Sequence, residues 1–244
     1  MRQAAPLLAV GLALALLVAG MPALRPLFAA AFPGVEPPVY ERESFAVLLA
    51  WHAALVGLST LVSSLVGIGL GIFVTRPAGA DFRAIADAAA AIGQTFPPVA
   101  VLAVAVPAVG YGALPTIIAL TLYGLLPILE NTIAGLATVP AAVREAAEGM
   151  GLSPLQVLRD VELPLAAPVI LAGIRTSAIV NIGTATIGST VGAVTLGTPI
   201  INGLVGDKLP YVLQGAAVVG LFAILADLAF GAIDRRLRRH ARRE

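Results

Sequence analysis

Two ionisable residues, Glu130 and Arg175, lie inside long apolar runs. A charge held in an apolar medium is costly and marks a pairing or pathway role. Glu130 stands about seven residues from the end of its run, roughly 10 Å at 1.5 Å per residue, and Arg175 about ten residues into the next, roughly 15 Å. Opposite sign and similar depth make them a candidate ion pair. The plainer alternative is that Arg175 snorkels to an interface while Glu130 faces another helix or water. A second polar set, Asn181, Thr184, Thr186, Ser189 and Thr190, is interleaved with Gly183, Gly188 and Gly192. Small and hydroxylated residues let helices approach closely, or line a path for a polar solute. Gln94 and Tyr123 join Asn181, Thr184 and Thr186 as pathway candidates. Gln94, Thr95 and the pair Pro97-Pro98 are expected to break their apolar run, and backbone exposed by such a break needs protein or a water-filled cavity beside it.

Catalytic chemistry finds little to work with. The chain has no cysteine and two histidines, His52 and His240, far apart in sequence. That excludes a clustered His/Cys metal set and thiol chemistry. No GxxxxGK[ST] phosphate loop occurs, so ATP hydrolysis by that route would need a partner. No nucleophile, base and orienting group converge. The chain reads as a non-enzyme with no metal and no cofactor of its own. A net charge of +1 gives no reason to expect nucleic acid.

One stretch is polar where its surroundings are not: REAAEGMGLSPLQVLRDVELPL, Arg144 to Leu165. Thr138 is placed as the N-cap of a short helix with Pro140 in its first turn. Gly149 and Gly151 offer left-handed-tolerant positions that end it. Ser153, Pro154 and Gln156 have the spacing of a capping box. Leu155, Leu158 and Val161 form an apolar stripe, covered by Gln156, Arg159, Asp160 and Glu162. Pro164 is expected to break or kink the chain. Helices this short are marginal alone. The island is either an ordinary structured loop or a segment held in a partner's groove.

The elements that must hold these residues are apolar. Of 244 residues, 59% are hydrophobic and 12% charged, and mean hydropathy is +0.95. A soluble domain has about 25% charged residues. A membrane-crossing helix needs roughly 20 apolar residues. Six segments qualify: about Leu7–Ala30, Phe45–Val74, Ile85–Val106, Leu114–Ala137, Leu165–Val191 and Tyr211–Ile233. The fold class is all-α integral membrane. The first segment also has the form of a signal peptide. Its apolar character runs on to Phe32, which favours a retained helix. With the N-terminus inside, the inner segments hold Arg2, Arg76, Arg83, Arg144, Arg159 and six arginines from Arg235 to Arg243, and the outer ones Arg25, Arg42 and Lys208. That asymmetry puts both termini and the island in the cytoplasm. The tail RRLRRHARR is a stop-transfer anchor beside anionic lipid.

The spacing Glu145-Ala146-Ala147, three residues, Gly151, nine residues, Val161, one residue, Leu163-Pro164 resembles the signature of ABC importer permeases, with Val161 where the family usually has Ile. Phe96-Pro97-Pro98, YGLLPILENT (Tyr123–Thr132), VELPLAAPVILAGIRT (Val161–Thr176) and NIGTATIGSTVGA (Asn181–Ala193) are similar to its quaternary-amine, or osmoprotectant, branch. The resemblance covers roughly Phe45 to Ile233. It implies a type I importer permease fold: residues 1–44 as a first helix and outer loop, 45–234 as the permease domain with coupling segment 138–164, and 235–244 as a basic tail. It implies that Glu145, Ala146, Ala147, Gly151, Val161, Leu163 and Pro164 dock a separate cytoplasmic ATPase, which carries the ATP and Mg. It implies a second permease subunit, an external binding protein, the inner membrane of a bacterial-type cell, and a substrate such as glycine betaine, choline or carnitine.

Quaternary ammonium groups favour aromatic cages. With one Trp, four Tyr and no visible cluster, selectivity is expected in the binding protein, with Tyr111 and Tyr123 as candidate contacts. The rivals are an importer of an amino acid or another small polar solute, and an ATP-independent secondary transporter. The latter would be expected to show an inverted repeat, and none is visible.

Overall fold

The computed structural model describes residues 5–240, and these are helical with no strand among them. Arg2, Arg242 and Arg243, counted above for orientation, lie outside the described residues. Helix α1 spans Ala5–Gly20 and, after a 3-10 turn containing Pro22, passes into α2, Arg25–Ala31. Helix α3 is Phe45–Val74, α4 is Arg83–Thr95, α5 is Pro98–Val109 and α6 is Ala113–Ala137. Helix α7 is Ala141–Gly149 and α8 is the short Pro154–Gln156; a π-helical run, Val157–Glu162, leads into α9, Leu163–Thr184. A 3-10 segment, Ala185–Val191, precedes α10, Gly197–Val205, and α11, Leu209–His240.

Five helical stretches are long and apolar enough to cross a membrane, or up to six if the bent pair α4 and α5 counts as one. This matches the six expected segments. The third is interrupted where Gln94, Thr95 and the pair Pro97-Pro98 predict a break: α4 ends at Thr95 and α5 starts at Pro98. Proline cannot donate into a helix, and it pushes the residue before it towards extended backbone.

The described residues divide into two compact units. One comprises the residues up to Ser59, Phe96–Leu120 and Ala178–Ala229; the other comprises Thr60–Thr95, Thr121–Ser177 and the residues from Phe230. In the first, Leu14, Met21, Val39, Tyr40, Phe45, Leu48, Leu196, Tyr211 and Val218 form a core. Buried Gln214 holds the loop before α3 in this core. Its amide donates to Pro38 O at 2.8 Å, and its oxygen accepts Tyr40 N at 3.0 Å. His52, fully buried, lies 3.0 Å from Ile182 O through Nε2, and its Nδ1 accepts the amide of Leu196 at 3.3 Å.

The second unit is joined through small residues. A Cβ on Gly71 would come within 2.7 Å of Thr132, and one on Gly173 within 2.6 Å of Pro127 O. Close helix approach of this kind supplies packing where apolar burial offers little drive. Leu136, Ala166 and Ile170 make a core here, as do Val74, Ala90, Leu129 and Ile133.

Candidate functional site

The polar island folds as two helical pieces joined by a glycine turn. Its start differs from expectation. Thr138 N donates to Ala134 O at 3.1 Å and its hydroxyl to Gly135 O at 2.6 Å. Thr138 therefore closes α6, and Pro140, with φ −61° and ψ 137°, is the N-cap of α7. The hydroxyl turns back to Gly135 O, a last-turn carbonyl that also accepts Thr138 N at 3.2 Å, so it does not reach forward.

The end of α7 follows the predicted chemistry. Gly151, at φ +88°, donates to Glu148 O at 2.9 Å, and Leu152 donates to Ala147 O at 3.2 Å. This pair of bonds is a Schellman motif with Gly151 at the left-handed position. Gly149 is the last residue of α7, without positive φ. Ser153 N then donates to Gln156 Oε1 at 2.8 Å, closing the capping box on that side.

The π-helical run carries two further corrections. Pro164 does not break the helix, for it sits in the first turn of α9, but the run that leads into it departs from the α pattern. Leu163 N bonds to Leu158 O, five residues back. Such widened turns relieve the clash that a proline ring makes with the preceding turn. Nor does the stripe Leu155, Leu158, Val161 face inward as a set. Leu155 is 71% exposed, whereas Val157 and Glu162 are 4% and 2% exposed. Residues five apart would diverge by about 140° on an α-helix at 3.6 residues per turn; the wider π turn draws Val157 and Glu162 towards one face.

Glu162, assigned from the sequence to the polar cover, is thus a buried carboxylate. Arg76 Nη2 approaches its Oε2 at 2.5 Å, and Arg144 Nη1 its Oε1 at 3.8 Å. Arg76 follows α3 and Arg144 belongs to α7, so one anion joins three chain segments. The cluster lines a cavity of about 440 Å³ together with Arg83, Ile133 and Leu136. A buried charge persists only when paired, and here two guanidinium groups serve one carboxylate. Nothing in the local spacing signals this role.

Of the expected docking residues, Glu145 and Ala146 are exposed, while Ala147 is buried at 2%. Val161 and Leu163 are half-buried, and Pro164 and Gly151 exposed. Exposed Val143, Met150 and Leu155 add apolar surface to the same segment. Glu145 and Glu148 share a cavity of about 290 Å³ with Arg76, Arg144 and Glu162.

Glu130 is exposed and lines a cavity of about 540 Å³ with Arg83 and Asp87. Arg175 is half-buried on α9. Gln94 and Tyr123 are brought together: the Gln94 amide donates to Tyr123 O at 2.8 Å. That carbonyl lies four residues before Pro127, which has no N–H to give it. The Tyr123 hydroxyl is buried without a hydrogen-bond partner among the described residues. Asn181 is fully buried. The hydroxyls of Thr184 and Thr186 donate back to Val180 O and Gly183 O at 2.9 and 2.7 Å. Those of Ser189 and Thr190 do the same, to Thr186 O and Ile187 O at 2.8 and 2.7 Å. Gly188 lies where a Cβ would meet Thr116 at 2.5 Å, which is a packing contact.

Residues 67–239 match the family model described as binding-protein-dependent transport system inner membrane component. The chain belongs to this family. Among curated members of similar sequence, the osmoprotectant import permease protein OsmY of Salmonella typhimurium is 43% identical over 189 residues, 78% of this chain and 80% of that protein. The choline transport system permease protein OpuBB of Bacillus subtilis is 42% identical over 180 residues, 71% of this chain and 83% of that one. A solved chain of the inward-facing MetNI methionine ABC transporter superposes with a TM-score of 0.70 at 23% identity, covering 79% of this permease and 95% of that chain. At that identity the likeness concerns the fold alone, which is the type I importer permease fold.

Proposed function

We propose that this permease subunit forms the translocation pathway of an ATP-driven importer for osmoprotectants such as glycine betaine or choline. The observation that carries this reading is its identity of 42–43% to permeases named for osmoprotectant import and choline transport. A glycine betaine/carnitine/choline permease, OpuCD of Bacillus subtilis, is 39% identical over 190 residues.

In this reading the island lies in the cytoplasm, as do both termini, in keeping with the arginine asymmetry. The exposed face of α7, with Glu145, Ala146 and the turn at Gly151, docks a separate ATPase that holds the ATP and Mg. Val161 leads from that segment into α9, which Leu163 and Pro164 open. A second permease subunit completes the pathway, and an external binding protein delivers the solute. Gln94, Tyr123, Asn181, Thr184 and Thr186 are proposed as pathway residues, and Glu130 with Arg175 as an intramembrane charge pair. Closure of the ATPase shifts the equilibrium between inward and outward access through differential contacts with the two states.

The test is ATP hydrolysis by the permease reconstituted in lipid with its ATPase and binding protein, with glycine betaine added or withheld. A rate that rises with ligand, and collapses in Glu145→Lys and Gly151→Val, is the expected result. Stimulation that survives both substitutions would sink the docking role. Coupled hydrolysis indifferent to betaine and choline would turn the substrate to an amino acid or another small polar solute.

A further inference from the structure

We propose that Glu162 is a positioning residue, whose pairing with Arg76 and Arg144 carries movement of α7 into α3 as well as into α9. The inference rests on the importer reading above and goes beyond the docking motif, in which Glu162 has no part. Arg144 projects from the helix proposed to meet the motor. Glu162 ends the π-helical run that continues as α9. Arg76 follows the end of α3. Covalent continuity alone would pass movement of α7 back to α6 and forward, through the turn at Gly151, to α9. The buried carboxylate adds α3, which is distant in sequence, to the moving set.

The geometry favours a tether over a surface contact. Glu162 is 2% exposed, and the Arg76 contact is close. Exposed ion pairs are screened and worth little, whereas removal of one partner from a buried pair leaves an uncompensated charge. Arg76 Nε is itself buried without a hydrogen-bond partner among the described residues, so this guanidinium is committed through its Nη end. The cavities of about 440 and 290 Å³ that the cluster borders leave room for α7 to lose its place if the tether is cut.

Spin labels test the tether without reference to substrate. The chain has no cysteine, so Asp81→Cys and Glu148→Cys, both exposed, give one defined pair. In the reconstituted complex the interlabel distance distribution is expected to be narrow. It is expected to broaden at least twofold in Glu162→Gln, and also in Arg76→Gln, which keeps the Arg144 contact and guards against a misfolded single variant. The same two variants are expected to retain ATP hydrolysis while solute moved per ATP falls at least fivefold. An unchanged distance width in both variants, or an unchanged transport ratio, overturns the proposal. A narrow distribution that broadens in both variants, in a complex with no response to osmoprotectants, counts against the substrate reading and leaves the tether supported by the labels.

Discussion

The side-chain amide of Gln94 lies 2.8 Å from the main-chain carbonyl of Tyr123, the α6 carbonyl that Pro127 leaves without its helical donor. One side chain thus repairs what one proline removes. Gln94→Leu should cost about 1–3 kcal/mol, the penalty of a buried unsatisfied acceptor. Pro127→Ala restores the helical donor and should make Gln94→Leu nearly neutral. A double-mutant cycle read from the soluble fraction after heating in detergent decides this. Equal losses from Gln94→Leu with and without Pro127 would refute the pairing.

Gly151 offers a separation of backbone strain from bulk. Nothing lies within 4 Å of a Cβ built on it, yet its φ is +88°. An L-residue with a side chain pays about 1–2 kcal/mol there, and Asn pays less than Ala. Substrate-stimulated ATP hydrolysis should therefore rank Gly above Asn above Ala above Val. If the larger Asn is worse than Ala, clearance for a partner governs the site instead.

Gly197 allows no such choice. A Cβ there would lie 1.9 Å from Thr186 O and 2.5 Å from the same residue's carbonyl carbon. Both neighbouring atoms are main chain and cannot rotate away. Gly197→Ala should lose about 3 kcal/mol or more, visible as loss of the monodisperse detergent-solubilised protein. Gly220→Ala, with nothing within 4 Å of its Cβ, is the matched control and should be silent.

His52 uses both ring nitrogens in opposite senses, accepting at Nδ1 from Leu196 and donating at Nε2 to Ile182. That arrangement suits the neutral imidazole with its proton on Nε2. His52→Leu keeps the apolar edge against Phe222, whose ring centroid is 6.0 Å away, but strands a donor and an acceptor. It should cost about 1–3 kcal/mol for each group, measured again by heating in detergent. A wild-type midpoint would show that water or a shifted backbone replaces the ring.

The helical spans were legible because a bilayer imposes length and apolarity on every crossing, and Pro97 advertised its interruption directly. The capping box at Ser153 and the stop at Gly151 were legible because turn chemistry is local. Thr138 was misread because a threonine beside a helix end can serve either neighbour, and only geometry shows which way its hydroxyl turns. Glu162 was misread for a different reason. Its burial follows from a π turn, which assuming an α-helical period conceals, and from Arg76, which lies 86 residues away. Gln94 was picked out as polar within an apolar run, but its bond to Tyr123 O depends on a proline in another helix.

The π-helical run Val157–Glu162 also makes the gap between Gly151 and Val161 a ruler. The residues within it differ widely in chemistry, and several face outward, but their number is fixed by geometry. Deleting any one of them would tighten the widened turns towards an ordinary helix. Where the turns did not tighten, everything before the deletion would instead swing by about 100° relative to α9, at 3.6 residues per turn. Glu162 would then face away from Arg144, and α7 would present a different side. The spacer thus tolerates rewriting and resists shortening, so its constraint is visible in residue counts and hidden from residue identities.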